Sequence, residues 1–164
     1  MNSSVEADVA MLAEALQARG AMLATAESCT GGMIAAACTD RAGSSAWFER
    51  GFVTYSNAAK AQMLGVEPDR IAAHGAVSAE VASAMAAGAL DHSDATWAVA
   101  VTGIAGPGGA TPAKPVGTVW LAVARRGGEA VPELLQLSGD RAAIRTQTVR
   151  IALQRLRAAV ERDG

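Results

Sequence analysis

Aromatic residues make up only 4% of this 164-residue chain, too few to build a stacking platform for nucleic-acid bases. Charged residues are 18% and the formal net charge is -2, so the basic footprint of a DNA- or RNA-binding protein is missing. The two histidines, His74 and His92, stand apart from each other and from the cysteines. That spacing supports neither a metal site nor a Ser-His-Asp triad. The cysteines also number two. Cys29 and Cys38 bracket one short helical segment, which holds them too far apart for a disulfide, so reduced thiols are expected. No apolar run is long enough to span a bilayer. The stretch Met1-Asn2-Ser3-Ser4-Val5-Glu6 lacks the basic flank and apolar core of an export signal. These absences exclude nucleic acid and membrane as partners and lead us to expect a cytoplasmic protein.

What is present is apolar and punctuated by glycine. Hydrophobic residues reach 51%, enough for one domain over residues 1–164 with a proper core. Helical periodicity covers Val5 to Arg19, with Gly20 as its stop. A short buried strand is predicted from Ala21 to Ala26, then a helix from Met33 to Cys38. Thr39 to Ser45 reads as a loop and Trp47 to Thr54 as a strand. Ser56-Asn57 starts a short helix from Ala58 to Leu64, and Pro68-Asp69 opens another helical turn. Ser78 leads an alanine-rich helix from Ala79 to Leu90. Thr96 to Val101 is a buried strand that breaks into the glycine-rich loop beginning Thr102-Gly103-Ile104-Ala105-Gly106-Pro107. Val116 to Ala124 and Val131 to Leu137 are strands joined at Arg126-Gly127-Gly128-Glu129, a hairpin turn. Gly139-Asp140-Arg141 starts the last helix, which runs to about Glu161. Alternating helices and strands predict a three-layer α/β/α domain. Its sheet is mixed and mostly parallel, with a late antiparallel hairpin.

Three polar turns then fall at the carboxyl ends of strands: Ser28 to Gly32, Tyr55-Ser56-Asn57, and Thr102-Gly103. Open α/β sheets bind ligands along that edge. The loop carrying Ser44-Ser45 is expected to fold over the same edge. In the Ser28 turn, hydroxyls can cap the following helix, glycines let a ligand approach the backbone, and free N–H groups attract anions. Cys29 at a helix start is a second nucleophile candidate if its pKa is depressed. Glu27, the one carboxylate within a polar turn, reads equally as an acid/base group or as a hydrogen-bond partner that orients the turn. Lys60, five positions after Tyr55, reads either as a solvated helix lysine or as a buried base with a lowered pKa.

The ordered set of Thr25-Ala26-Glu27-Ser28-Cys29-Thr30-Gly31-Gly32, Gly43-Ser44-Ser45, Gly51-Phe52-Val53-Thr54-Tyr55-Ser56-Asn57, Lys60, His74-Gly75-Ala76-Val77-Ser78, Thr102-Gly103-Ile104-Ala105-Gly106-Pro107 and Lys114-Pro115-Val116-Gly117-Thr118-Val119 resembles the CinA (competence/damage-inducible protein) C-terminal domain family, and within it the stand-alone amidase members. The resemblance covers nearly the whole chain. Longer members carry an additional N-terminal domain for which this chain has no room.

The resemblance implies hydrolysis of the carboxamide of nicotinamide mononucleotide to nicotinate mononucleotide and ammonia, with a small pyridine nucleotide as the partner and no metal or organic cofactor. It implies Ser45 as nucleophile, Lys60 as base and Tyr55 as an aid to proton transfer. Ser28, Thr30, Gly31, Thr102 and Gly103 would line the substrate site, and Arg141 would meet a phosphate. Ser28 is the more obvious nucleophile by inspection, so two serines remain in play. A non-catalytic nucleotide-binding or regulatory module is the competing reading. Trp47, Phe48 and Phe52 are expected to form a contact surface in a homodimer.

Overall fold

The structure, a computed structural model, describes residues 3–163, leaving Met1 and Asn2 of the export-signal reading outside the described residues. The elements in chain order are α1 (Ser3–Ala18), β1 (Leu23–Glu27), α2 (Met33–Thr39), a 3₁₀ turn (Ser44–Ala46), β2 (Phe48–Val53), α3 (Asn57–Leu64), α4 (Pro68–His74), α5 (Ala79–Asp91), β3 (Trp97–Gly103), β4 (Thr118–Arg125), β5 (Val131–Gln136) and α6 (Arg141–Arg162). The sheet order is β2-β1-β3-β4-β5. The first three strands run parallel, and β4 and β5 return antiparallel. This is the expected mixed sheet with its late hairpin. No helix among the described residues is long and apolar enough to cross a membrane.

Strand alternation sorts the core by size. Trp97, Val99 and Val101 of β3 and Val119, Leu121 and Val123 of β4 face one side. There they meet Leu12 and Leu16 of α1 and Leu153 and Leu156 of α6. Each such leucine, buried from water, contributes about 1.5–3 kcal/mol. Ala98, Ala100, Ala122 and Ala124 face the other side, against Val81, Met85 and Ala89 of α5. A sheet face of alanines brings α5 close to the backbone. Gly88 on α5 continues that closeness toward α3: a Cβ there would stand 2.0 Å from the Leu64 carbonyl oxygen.

Helix starts follow their capping residues. Ser56 Oγ accepts from Ala59 N at 3.0 Å, Ser78 Oγ from Val81 N at 3.2 Å, and Asp140 Oδ1 from Ala143 N at 2.9 Å. These bonds satisfy amides that have no partner inside the helix. Trp47 departs from the sequence reading. It is 1% exposed and belongs to the core under α1 and α6, so it offers no contact surface. Its carbonyl accepts from Leu23 N at 2.8 Å and anchors the entry to β2.

Candidate active site

The carboxyl ends of β1, β2 and β3 meet at one point of the sheet edge, where β1 pairs with both neighbours. A cavity of about 220 Å³ opens there. Its lining includes Ser28, Tyr55, Lys60, Thr102, Gly103 and Arg141. A larger depression, about 560 Å³, lies between the β4–β5 hairpin and the end of α6. Three of its four arginines are already engaged: Arg155 with Glu133, Arg125 with Asp163, and Arg126 with the Leu90, Ser93 and Ala95 carbonyls. The smaller cavity is the one that gathers the expected site residues at the carboxyl edge of the sheet.

Lys60 is the centre of it. The Ser56 cap sets α3 so that Lys60 falls in its first turn, and helical side chains lean toward the N-terminus. The amine thus reaches back to the strand ends. It is 1% exposed. Lys60 Nζ lies 3.1 Å from Ser28 Oγ and donates to the Tyr55 carbonyl at 3.0 Å. Ser28 Oγ lies 3.3 Å from that same carbonyl. Burial lowers the Lys60 pKa from its ordinary value, because the ammonium form loses its hydration. A neutral amine can accept the Ser28 proton while still donating to Tyr55 O, so the carbonyl holds the base in place during transfer.

The Ser28 turn is held from within by Glu27, which is 1% exposed. Glu27 Oε1 accepts from Thr30 Oγ1 at 2.6 Å and Ile34 N at 2.8 Å, and Oε2 accepts from Ala35 N at 3.0 Å. Glu27 therefore orients the turn, one of its two readings from the sequence, and also caps α2, the task expected of the turn's hydroxyls. The chain passes through Gly31 at φ +59° and Gly32 at φ +107°, conformations that glycine adopts without cost. This swing takes Ser28 away from the helix start and toward Lys60. Glu27→Ala strands one buried and one half-buried amide and is expected to cost about 2–4 kcal/mol. Thermal melts should show a Tm lower by roughly 5–12 °C, with Glu27→Gln intermediate.

Cys29 shares the cavity lining, but burial pushes its thiol up to about 11. The depressed pKa expected at a helix start does not occur, since α2 begins only at Met33. A thiol that stays protonated at neutral pH is a poor nucleophile.

Ser45 is not brought to this edge. It is exposed, in the 3₁₀ turn before β2. Because β2 is parallel to β1 with Leu23 beside Phe48, that turn lies at the amino end of the sheet. Five residues of strand separate that register from Ser28, roughly 16 Å at the usual rise. Tyr55 is at the cavity, but its side chain is an exposed one and the carbonyl makes the contacts. Thr102 Oγ1 donates to Ala76 O at 2.9 Å and ties the loop before α5 to the cavity wall. Gly103 faces Val119 so closely that a Cβ would meet its Cγ2 at 2.6 Å. Arg141 Nη1 donates to Gly106 O at 2.8 Å with the rest of the side chain exposed. Thr30 and Gly31 lie behind the cavity rather than on its wall.

Sequence reasoning missed Arg145. Its Nε donates to Cys29 O at 3.1 Å and its Nη2 to Thr30 O at 3.4 Å. The signal was available, because Arg145 lies one helical turn beyond Arg141 on the same face.

A model of the CinA C-terminal domain matches residues 5–160. Nicotinamide-nucleotide amidohydrolase PncC of Escherichia coli (strain K12) is 57% identical over 145 residues, covering 88% of each chain. The protein of the same name from Enterobacter agglomerans is 52% identical over 143 residues, covering 87% of each. Among solved structures, a competence/damage inducible protein from Agrobacterium tumefaciens superposes with a TM-score of 0.94 at 47% identity, covering 98% of each chain.

Proposed function

Since the chain belongs to the CinA C-terminal domain family, we propose that it hydrolyses the carboxamide of nicotinamide mononucleotide to nicotinate mononucleotide and ammonia, with Ser28 as nucleophile and Lys60 as base. The single observation that carries the residue assignment is the buried Lys60 amine 3.1 Å from Ser28 Oγ.

Ser28 Oγ attacks the carboxamide carbon while neutral Lys60 takes its proton. The oxyanion forms beside the peptide N–H of Cys29, the residue after the nucleophile and part of the cavity wall. Protonated Lys60 returns its proton to the nitrogen, and ammonia departs. Water then attacks the acyl-Ser28 ester, giving its proton to Lys60, and the carboxylate product leaves as Ser28 regains a proton. Arg141, at the cavity mouth with most of its guanidinium free, is placed to meet the nucleotide phosphate.

The test is ammonia release from nicotinamide mononucleotide by purified protein. Turnover that follows Michaelis kinetics supports the reading. Tight binding of the nucleotide with no ammonia would overturn it in favour of a nucleotide-binding module.

A further inference from the structure

We infer that Asn57 binds the reacting group of the substrate, its Oδ1 accepting a hydrogen bond from the carboxamide NH2; this rests on the reading of the protein as an amidase acting through Ser28. Asn57 lines the same cavity as Ser28 and Lys60. It is the first residue of α3 and precedes Lys60 by three positions, on the same face of the helix. Lys60 leans back toward that end of α3, where its amine donates to the Tyr55 carbonyl at 3.0 Å. Ser28 Oγ lies 3.3 Å from that carbonyl. Two residues of chain span at most about 7 Å, so the Asn57 Cα stands no farther than that from the Cα of Tyr55. The amide of Asn57 is thus beside the pair that attacks.

A carboxamide brings two N–H donors into the site, and they need an acceptor. The rest of the cavity wall is poor in them. Arg141 carries donors only. Ser28 and Lys60 are engaged with each other and with the Tyr55 carbonyl, which is thereby occupied. Thr102 Oγ1 donates to Ala76 O at 2.9 Å. The Tyr55 hydroxyl ends a side chain of a residue that is 63% exposed. Among the described residues Asn57 is the one member of the wall with a side-chain carbonyl oxygen, and its amide has no hydrogen-bond partner there. The helix does not call on it either. Ser56 is the cap, accepting from Ala59 N at 3.0 Å, and alanine is the better helix former at the position that follows.

Asn57→Ala is expected to raise KM for nicotinamide mononucleotide about three- to tenfold, the worth of one neutral hydrogen bond. The bond is present before and during attack, so kcat should change little. Asn57→Leu, which keeps the volume without the acceptor, should behave alike. The decisive comparison is the methyl ester of nicotinate mononucleotide, which shares the ring, sugar and phosphate but has no N–H at the reacting carbon. Both variants should hydrolyse the ester with the wild-type KM, and both should keep the wild-type Tm. An equal rise in KM for amide and ester would place Asn57 on another part of the nucleotide and overturn the inference. Unchanged KM for the amide would also overturn it, and so would a lowered Tm with activity lost on both substrates. Failure of the amidase reading is seen separately, as no ammonia from the wild-type protein. Calorimetric affinities for the intact amide and ester then judge the claim, with the same selective loss expected for the amide, and a protein that binds neither overturns both readings.

Discussion

Ser28→Ala is expected to abolish ammonia release, with kcat down by at least about 10⁴-fold, as when a serine nucleophile acting with its base is removed. Ser45→Ala is expected to leave kcat and KM within about twofold, as for surface changes away from a site. Ser28 Oγ stands 3.1 Å from the buried amine, whereas Ser45 is exposed at the far end of the sheet. Nucleotide binding should survive Ser28→Ala, since the cavity wall formed by Thr102, Gly103 and Arg141 is untouched. Titration calorimetry with nicotinamide mononucleotide checks that. Rapid-quench mass spectrometry of the wild-type enzyme should place a nicotinoyl-nucleotide adduct on the peptide containing Ser28. An adduct on the Ser45 peptide, or an active Ser28→Ala protein, would return the nucleophile to Ser45 and require a rearrangement of the 3₁₀ turn.

The contrast between these serines also shows what the sequence makes legible. The polar groups at the three strand ends are readable because ligand sites lie at the carboxyl edge of parallel strands; Ser28 and Tyr55 follow theirs, whereas Thr102 and Gly103 are the last residues of β3 itself. The same rule places Ser45 at the opposite edge, since its turn leads from a helix into a parallel strand. Motif order along the chain carried no information on which edge a loop occupies; the direction of the crossover did. The helices were readable from their caps, and Ser56, Ser78 and Asp140 stand where the sequence suggested. Only Glu27 displaced the expected caps. A carboxylate at the end of β1 reaches the amides of Ile34 and Ala35 because two left-handed glycines fold the turn back over it. The proton-transfer role that the resemblance implies for Tyr55 belongs to its side chain, yet its backbone carbonyl contacts Lys60 and Ser28. Side-chain chemistry in a sequence does not announce which carbonyls face a site. The size segregation of the core appears only in the structure. In β3 valine and tryptophan alternate with alanine, and the larger side chains pack with α1 and α6 while the alanines pack with α5.

Lys60→Met is expected to remove activity and to raise stability at neutral pH. The activity loss follows from removal of the base and should reach about 10³–10⁴-fold in kcat. Lys60→Arg should be equally inactive, because a guanidinium keeps its proton. Stability moves the other way. Burial lowers the Lys60 pKa below its ordinary 10.5, so the unfolded chain binds the proton more tightly than the folded one. Between the folded and unfolded pKa values the unfolded state carries more protons, and wild-type stability rises with pH across that window. Below the folded pKa the whole penalty is present; above 10.5 it is gone. Methionine fills similar volume without a charge, so its advantage in Tm should be largest at acid and neutral pH and shrink as pH approaches 10.5. The rate should show the same group from the other side. As base, Lys60 works unprotonated, so kcat/KM should climb with pH and level off at an apparent pKa below that of an ordinary lysine. Denaturant melts of wild type and Lys60→Met across the pH range, set beside the wild-type pH–rate profile, check both halves. A methionine variant less stable than wild type at neutral pH, or a rate that falls as pH rises toward 10.5, would mean that the folded protein favours the ammonium and that Lys60 acts as a fixed charge rather than as the base.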